Sequence, residues 1–275
     1  MLATVIAIAL ATPALAQKKV KLPKPGKAAE VIFIGNSLTH YHDLPAFVRA
    51  LGAADKPARR LTTVMLAPGG YTLEQHIKSP QEPRPAEVIK DHRAEYVVLQ
   101  EQGTRPNKHP ELMAEYAEQF TALCKKRKSV PVWYMTFARK NEPERQDAVN
   151  DAYQRVYERN GGLLAPVGRA WQQLLKDNPK LRLHFADNIH PARRGTYLTA
   201  CVLYGTMFDG DVRSFPDKLV IKGPDGKEKV LVDLPAEEGQ LLREAAASVL
   251  AAQYPKRTSS KRLAKERKAA KAKNQ

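Results

Sequence analysis

From residue 31 the chain alternates short, almost wholly apolar runs with longer stretches whose apolar residues recur at helical spacing. Strands buried on both faces read as unbroken apolar runs, and amphipathic helices cover them. The alternation therefore predicts an α/β fold with a parallel sheet between helices. Strands are expected at residues 31–35, 61–66, 96–100, 130–137 and 162–167. Helices are expected at 44–54, in a broken stretch over 73–92, and at 110–127, 142–160 and 168–177. Pro110 and Pro143 suit first-turn positions, where the missing N–H costs nothing. Pro191 is expected to open a helix that runs to about Phe208.

Residues 211–234 interrupt this rhythm. Leu219-Val220-Ile221 and Val230-Leu231-Val232 flank the turn-forming Pro224-Asp225-Gly226, which predicts a β-hairpin insertion. An addition at the domain edge is preferred here to a lid. A last helix, 235–253, carries Leu241, Leu242, Ala245, Ala246 and Leu250 at helical spacing.

The two ends read differently from the body. An apolar run over 2–10 followed by Ala14-Leu15-Ala16 predicts a signal peptide of residues 1–16, and so an exported protein, periplasmic or extracellular. That run is too short to span a bilayer, and no other segment is long and apolar enough. Residues 17–29 read as a basic linker, 30–255 as one domain, and 256–275 as a basic, disordered tail.

Charge matters here only through its location. The net charge is +16, but nine cations against one acid in residues 256–275, with five lysines in 17–27, account for most of it. Such tails contact anionic polymers or membrane surfaces without specificity. The body has no basic stripe with interleaved aromatics, so specific nucleic-acid binding is not expected. Cys124 and Cys201 each fall in an amphipathic helix, where free buried thiols are common, and their spacing excludes a CxxC site.

Two short stretches carry candidate chemistry. Ser37 follows the first strand within Gly35-Asn36-Ser37-Leu38-Thr39, at the carboxyl end where parallel sheets bind ligands. The ordinary role of a serine there is a helix N-cap. Asp187-Asn188-Ile189-His190-Pro191 supplies a base and an acid to orient it, since an offset of three lets the carboxylate fold back onto one imidazole nitrogen. The competing role for Asp187 is to cap the following helix. Together Ser37, His190 and Asp187 would form a nucleophile, base and orienting acid.

These two motifs, in this order, resemble the SGNH (GDSL-type) hydrolases, with Asn36 standing where Asp is commoner. No G-x-S-x-G elbow occurs, which argues against the other large serine-esterase fold. The resemblance implies a flavodoxin-like, three-layer α/β/α sandwich with a five-stranded parallel sheet. It also implies hydrolysis of carboxylic esters, acetyl esters on carbohydrates or lipid acyl esters, with no cofactor. An oxyanion hole is implied from the Ser37 N–H, a glycine after the second strand (Gly69 or Gly70, with Gly70 preferred) and an Asn after the third.

The third block departs from the pattern, reading Gln100-Glu101-Gln102-Gly103. Gln102 aligns with the family's Asn and is the preferred third donor; Gln100 is the alternative. Gln100, His76 and Arg139 are candidates to touch substrate. His40-x-His42-Asp43 lacks the further ligands a metal needs, so none is expected. The resemblance implies a small-molecule or carbohydrate ester as the partner. The altered third block leaves a rival reading, an inactive binding protein on the same fold held to an anionic envelope polymer by its tails.

Overall fold

The computed structural model describes residues 20–223 and 225–257. The expected signal peptide and nearly all of the basic tail lie outside them. Strands β1 (Ala29–Ile34), β2 (Leu61–Leu66), β3 (Tyr96–Leu99), β4 (Val130–Tyr134) and β5 (Leu163–Ala165) form one parallel sheet in the order β2-β1-β3-β4-β5. This is the doubly wound flavodoxin-like order, whose switch point lies between β1 and β3.

The apolar runs are explained by alternation to two buried faces. Val31 and Phe33 of β1, Tyr96 and Val98 of β3, and Val132 and Tyr134 of β4 join one core. Ile32, Ile34, Val97, Leu99 and Trp133 join the other. In these central segments neither face is wet, so no polar position marks the period; edge strand β2 keeps an exposed Thr62.

Ten helices among the described residues are α1 (Ser37–His40), α2 (Leu44–Ala54), α3 (Leu73–Lys78), α4 (Pro85–Asp91), α5 (Arg105–Lys108), α6 (Pro110–Arg127), α7 (Gln146–Asn160), α8 (Val167–Asp177), α9 (Arg193–Phe208) and α10 (Ala236–Gln253). Residues of α2, α8, α9 and α10 fill the first core, and residues of α3, α4, α6 and α7 the second. The broken stretch after β2 is thus two short helices. Cys124 and Cys201 are free and buried, one in each core, with the sheet between them. None of these helices is long and apolar enough to cross a membrane.

Two expectations are corrected, those for Pro191 and for residues 20–27, and the hairpin is placed. Pro191 does not open α9: it bridges to His184, and Ala192 N–H donates to Leu183 C=O (2.8 Å), so backbone pairing runs past the proline and the helix starts at Arg193. The hairpin, β6 (Lys218–Lys222) and β7 (Glu228–Asp233), forms its own two-stranded sheet and extends neither edge of the large one. It packs on α2 and α9, burying Leu219, Leu231 and Val232 in the first core. Residues 20–27 are not a free linker. Val20 and Leu22 pack on that core, and buried Arg59 donates to the carbonyls of Lys24 (2.9 Å) and Lys27.

Candidate active site

The loop after β1 is locked from below. Asn36 caps α1: its Oδ1 accepts from Leu38 N–H (3.1 Å), and its side-chain amide donates to Tyr71 C=O (2.7 Å). Asn36 therefore holds the capping role open to a serine after a strand. Ser37 is the first residue inside the helix, where N–H groups have no intrahelical acceptor.

Gln100, fully buried, sits beneath the loop. Its Oε1 accepts from Asn36 N–H (2.9 Å) and Thr39 Oγ1 (2.9 Å), and its Nε2 donates to Asn36 Oδ1 (3.1 Å) and Glu101 C=O (2.5 Å). A side chain at position 35 would collide with this amide, since a Cβ there would lie 2.5 Å from Gln100 Oε1. Gly35 is the price of the close approach. Gln100 is thus a brace and not a substrate contact, because every polar atom of its amide is spent inside. His76 is corrected likewise. It is 4 % exposed, and its Nε2 donates to Gly35 C=O (2.7 Å). Burial lowers its pKa against that bond's pull, leaving a neutral ring whose N–H holds the loop.

Above the loop lies a small cleft of about 50 Å³, lined by Ser37, Gly70, Gln102, Thr104, Arg139 and Ile189 among others. Gly70 is exposed with φ +73°, a left-handed turn that suits glycine. Gln102 is held by its oxygen: Oε1 accepts from Thr104 N–H (2.8 Å), Thr104 Oγ1 (2.9 Å) and Arg105 N–H (3.1 Å). With the oxygen spent on the start of α5, the amide's remaining chemistry is donation from Nε2. Behind it Glu101, 1 % exposed, accepts from Gln102 N–H (2.6 Å) and Leu73 N–H (3.2 Å). Burial pushes the Glu101 carboxyl up to about 7 despite those two bonds.

The second motif is a tight loop between the His184–Pro191 bridge and its tip, closed by Phe185 N–H to His190 C=O (2.7 Å). Asp187 bonds to its own loop and caps no helix. Its Oδ1 accepts from Ile189 N–H and His190 N–H (both 2.9 Å), and its Oδ2 meets His190 Nδ1 at 2.6 Å. Desolvation works to raise the Asp187 pKa, but the bonds from the His190 ring and the two backbone N–H groups outweigh it and hold the carboxyl at about 2. The carboxylate fixes the Nδ1–H tautomer, which leaves Nε2 as the basic atom. Tyr41, the residue immediately after α1, stacks on the His190 ring with centroids 4.4 Å apart at 12°.

Of the residues picked from sequence, Ser37, Gly70, Gln102 and Arg139 share the cleft, and Asp187 and His190 form a pair on the loop whose Ile189 lines it. Gln100 and His76 lie beneath. Tyr41 and Glu101 were missed; a polar residue within a strand-end Gln-Glu-Gln was the available signal for Glu101, and nothing in sequence marked the Tyr41 stack. Trp133 and Tyr134 are core, on opposite faces of the sheet.

Sheet order, layers and the position of this cleft give the chain the SGNH-hydrolase fold. It is similar to a candidate SGNH hydrolase from Slackia heliotrinireducens (22% identity, 66% of this chain and 99% of that one, TM-score 0.57). A DUF4886 family protein from Bacteroides uniformis is also similar (16% identity, 83% and 96% covered, TM-score 0.63), as is the acetyl xylan esterase AlAXEase (14%, 64% and 98%, TM-score 0.51). In sequence the chain matches no protein-family model and no curated protein.

Proposed function

We propose that this protein is an exported serine esterase that hydrolyses acetyl esters, on carbohydrate, through Ser37, His190 and Asp187. The observation that carries the reading is one cleft lined by Ser37, Gly70 and Gln102 beside the loop that presents the Asp187–His190 pair. His190 Nε2 takes the Ser37 proton as Oγ attacks the ester carbonyl carbon. The N–H groups of Ser37 and Gly70 and the Gln102 amide hold the oxyanion. The tetrahedral adduct collapses, the alcohol leaves with the proton from His190, and water repeats the sequence on the acyl-enzyme to release the acid. Asp187 stays ionised throughout and stabilises the imidazolium. A cleft of about 50 Å³ beside the serine suits a two-carbon acyl group better than a long chain. The acetyl xylan esterase with this fold points the same way.

Turnover of 4-nitrophenyl acetate and release of acetate from acetylated polysaccharide test the proposal. Both are expected from the native protein, with turnover reduced at least about 10³-fold in Ser37→Ala. Absence of hydrolysis across short-chain esters would instead favour the binding-protein reading.

A further inference from the structure

A second, larger cavity of about 440 Å³ adjoins the Ser37 cleft and shares Phe137 and Arg139 with it. Its walls are apolar, with Phe137, Trp171, Leu175 and Leu183 among them. Its remaining charged residues are Lys140, Lys176 and Arg182, so with Arg139 four cations line it and no Asp or Glu does. None of the four is in a salt bridge among the described residues, so no carboxylate offsets their charge at the cavity. Its rim is tied to the catalytic candidate loop, because Lys140 N–H donates to Asn188 C=O (2.9 Å). The Trp171 indole N–H is buried without a partner.

Four unpaired cations around one concavity repel one another, and an anion relieves that repulsion. The small cleft is sized for the acyl group, so this neighbour is left for the alcohol part of the ester. We infer that it is an anionic-sugar subsite, taking a uronate residue of an acetylated acidic polysaccharide with its carboxylate on the cationic rim and its apolar face on the wall. The inference rests on the esterase reading for which side of the ester enters.

Binding is read without turnover in Ser37→Ala protein, by calorimetry with trigalacturonate and its neutral methyl ester. Trigalacturonate is expected to bind about tenfold more tightly than the methyl ester, the scale of a few exposed charge contacts. Adding Lys176→Glu and Arg182→Glu is expected to bring the two ligands within about twofold, as is raising salt from about 50 to 500 mM. Both substitutions are at exposed positions, and unchanged affinity for the methyl ester reports an intact cavity. Equal binding of the two ligands, no binding of either, or a preference that survives the charge reversals would overturn the inference. Preference without ester hydrolysis by native protein keeps the anion subsite and removes the esterase; hydrolysis without preference does the reverse.

Discussion

The Tyr41 ring lies flat on His190, with centroids 4.4 Å apart and planes 12° from parallel. Tyr41 follows the helical turn that Ser37 begins, so this stack joins the nucleophile's element to a loop about 150 residues further along. Removing it in Tyr41→Ala is expected to lower kcat about tenfold with little change in KM, because a loosened base loses attack geometry and not substrate affinity. Tyr41→Phe keeps the ring and is expected to restore most of the rate. Steady-state kinetics on 4-nitrophenyl acetate check both, and equal loss in the two variants would assign the effect to the hydroxyl.

Gln102 separates cap from donor. Gln102→Glu retains an oxygen for Thr104 and Arg105 while removing the amide N–H, so turnover is expected to fall about 10²–10³-fold at near-native stability. Gln102→Ala loses both, adding a stability cost of about 1 kcal/mol for the lost cap. Paired kinetics and urea unfolding measure the two effects. A Gln102→Glu variant with native kcat would remove Gln102 from the oxyanion hole.

Gln100 is expected to behave as structure. Gln100→Leu strands Asn36 N–H and the Thr39 hydroxyl in a fully buried place, which costs about 3 kcal/mol at roughly 1–3 kcal/mol per orphaned group. Urea unfolding checks it; a loss below about 1 kcal/mol would mean the loop is held by other contacts.

Glu101 makes stability depend on pH. Burial raises its folded pKa to about 7 from an ordinary value of 4.5, so the folded state binds the proton more tightly than the unfolded one. Its contribution is complete below about pH 4.5 and is lost as pH rises through about 7, on the order of 3 kcal/mol in all. Glu101→Gln keeps an oxygen for both backbone N–H groups without the charge. The variant's stability is therefore expected to gain on the native protein's between pH 4.5 and 8. Parallel stability curves over that window would contradict the account.

The frame of the fold was legible because burial on both faces leaves its mark on the central strands, as in Val31–Ile34 and Tyr96–Leu99. The candidate nucleophile and its Asp–His pair were legible through order and spacing. The direction of a polar side chain was not. Gln100 and Gln102 are the same residue two positions apart at one strand end, yet the first turns inward to brace Asn36 and the second lines the cleft. His76 has the spacing of a pocket residue and instead holds Gly35 from behind. Tyr41, which stacks on His190, sits before two left-handed residues, His42 (φ 56°) and Asp43 (φ 59°), a turn that composition does not announce. The cationic cavity draws on residues 137–146 and 171–184, two segments brought together only by folding.

The central claim is that Ser37 is a nucleophile activated by His190. A fluorophosphonate probe, followed by mass spectrometry of the labelled peptide, reads this without knowledge of the natural substrate. The account predicts covalent labelling on Ser37 in the native protein, lost in Ser37→Ala and strongly slowed in His190→Ala. Labelling at another residue, or none on folded protein, would contradict it.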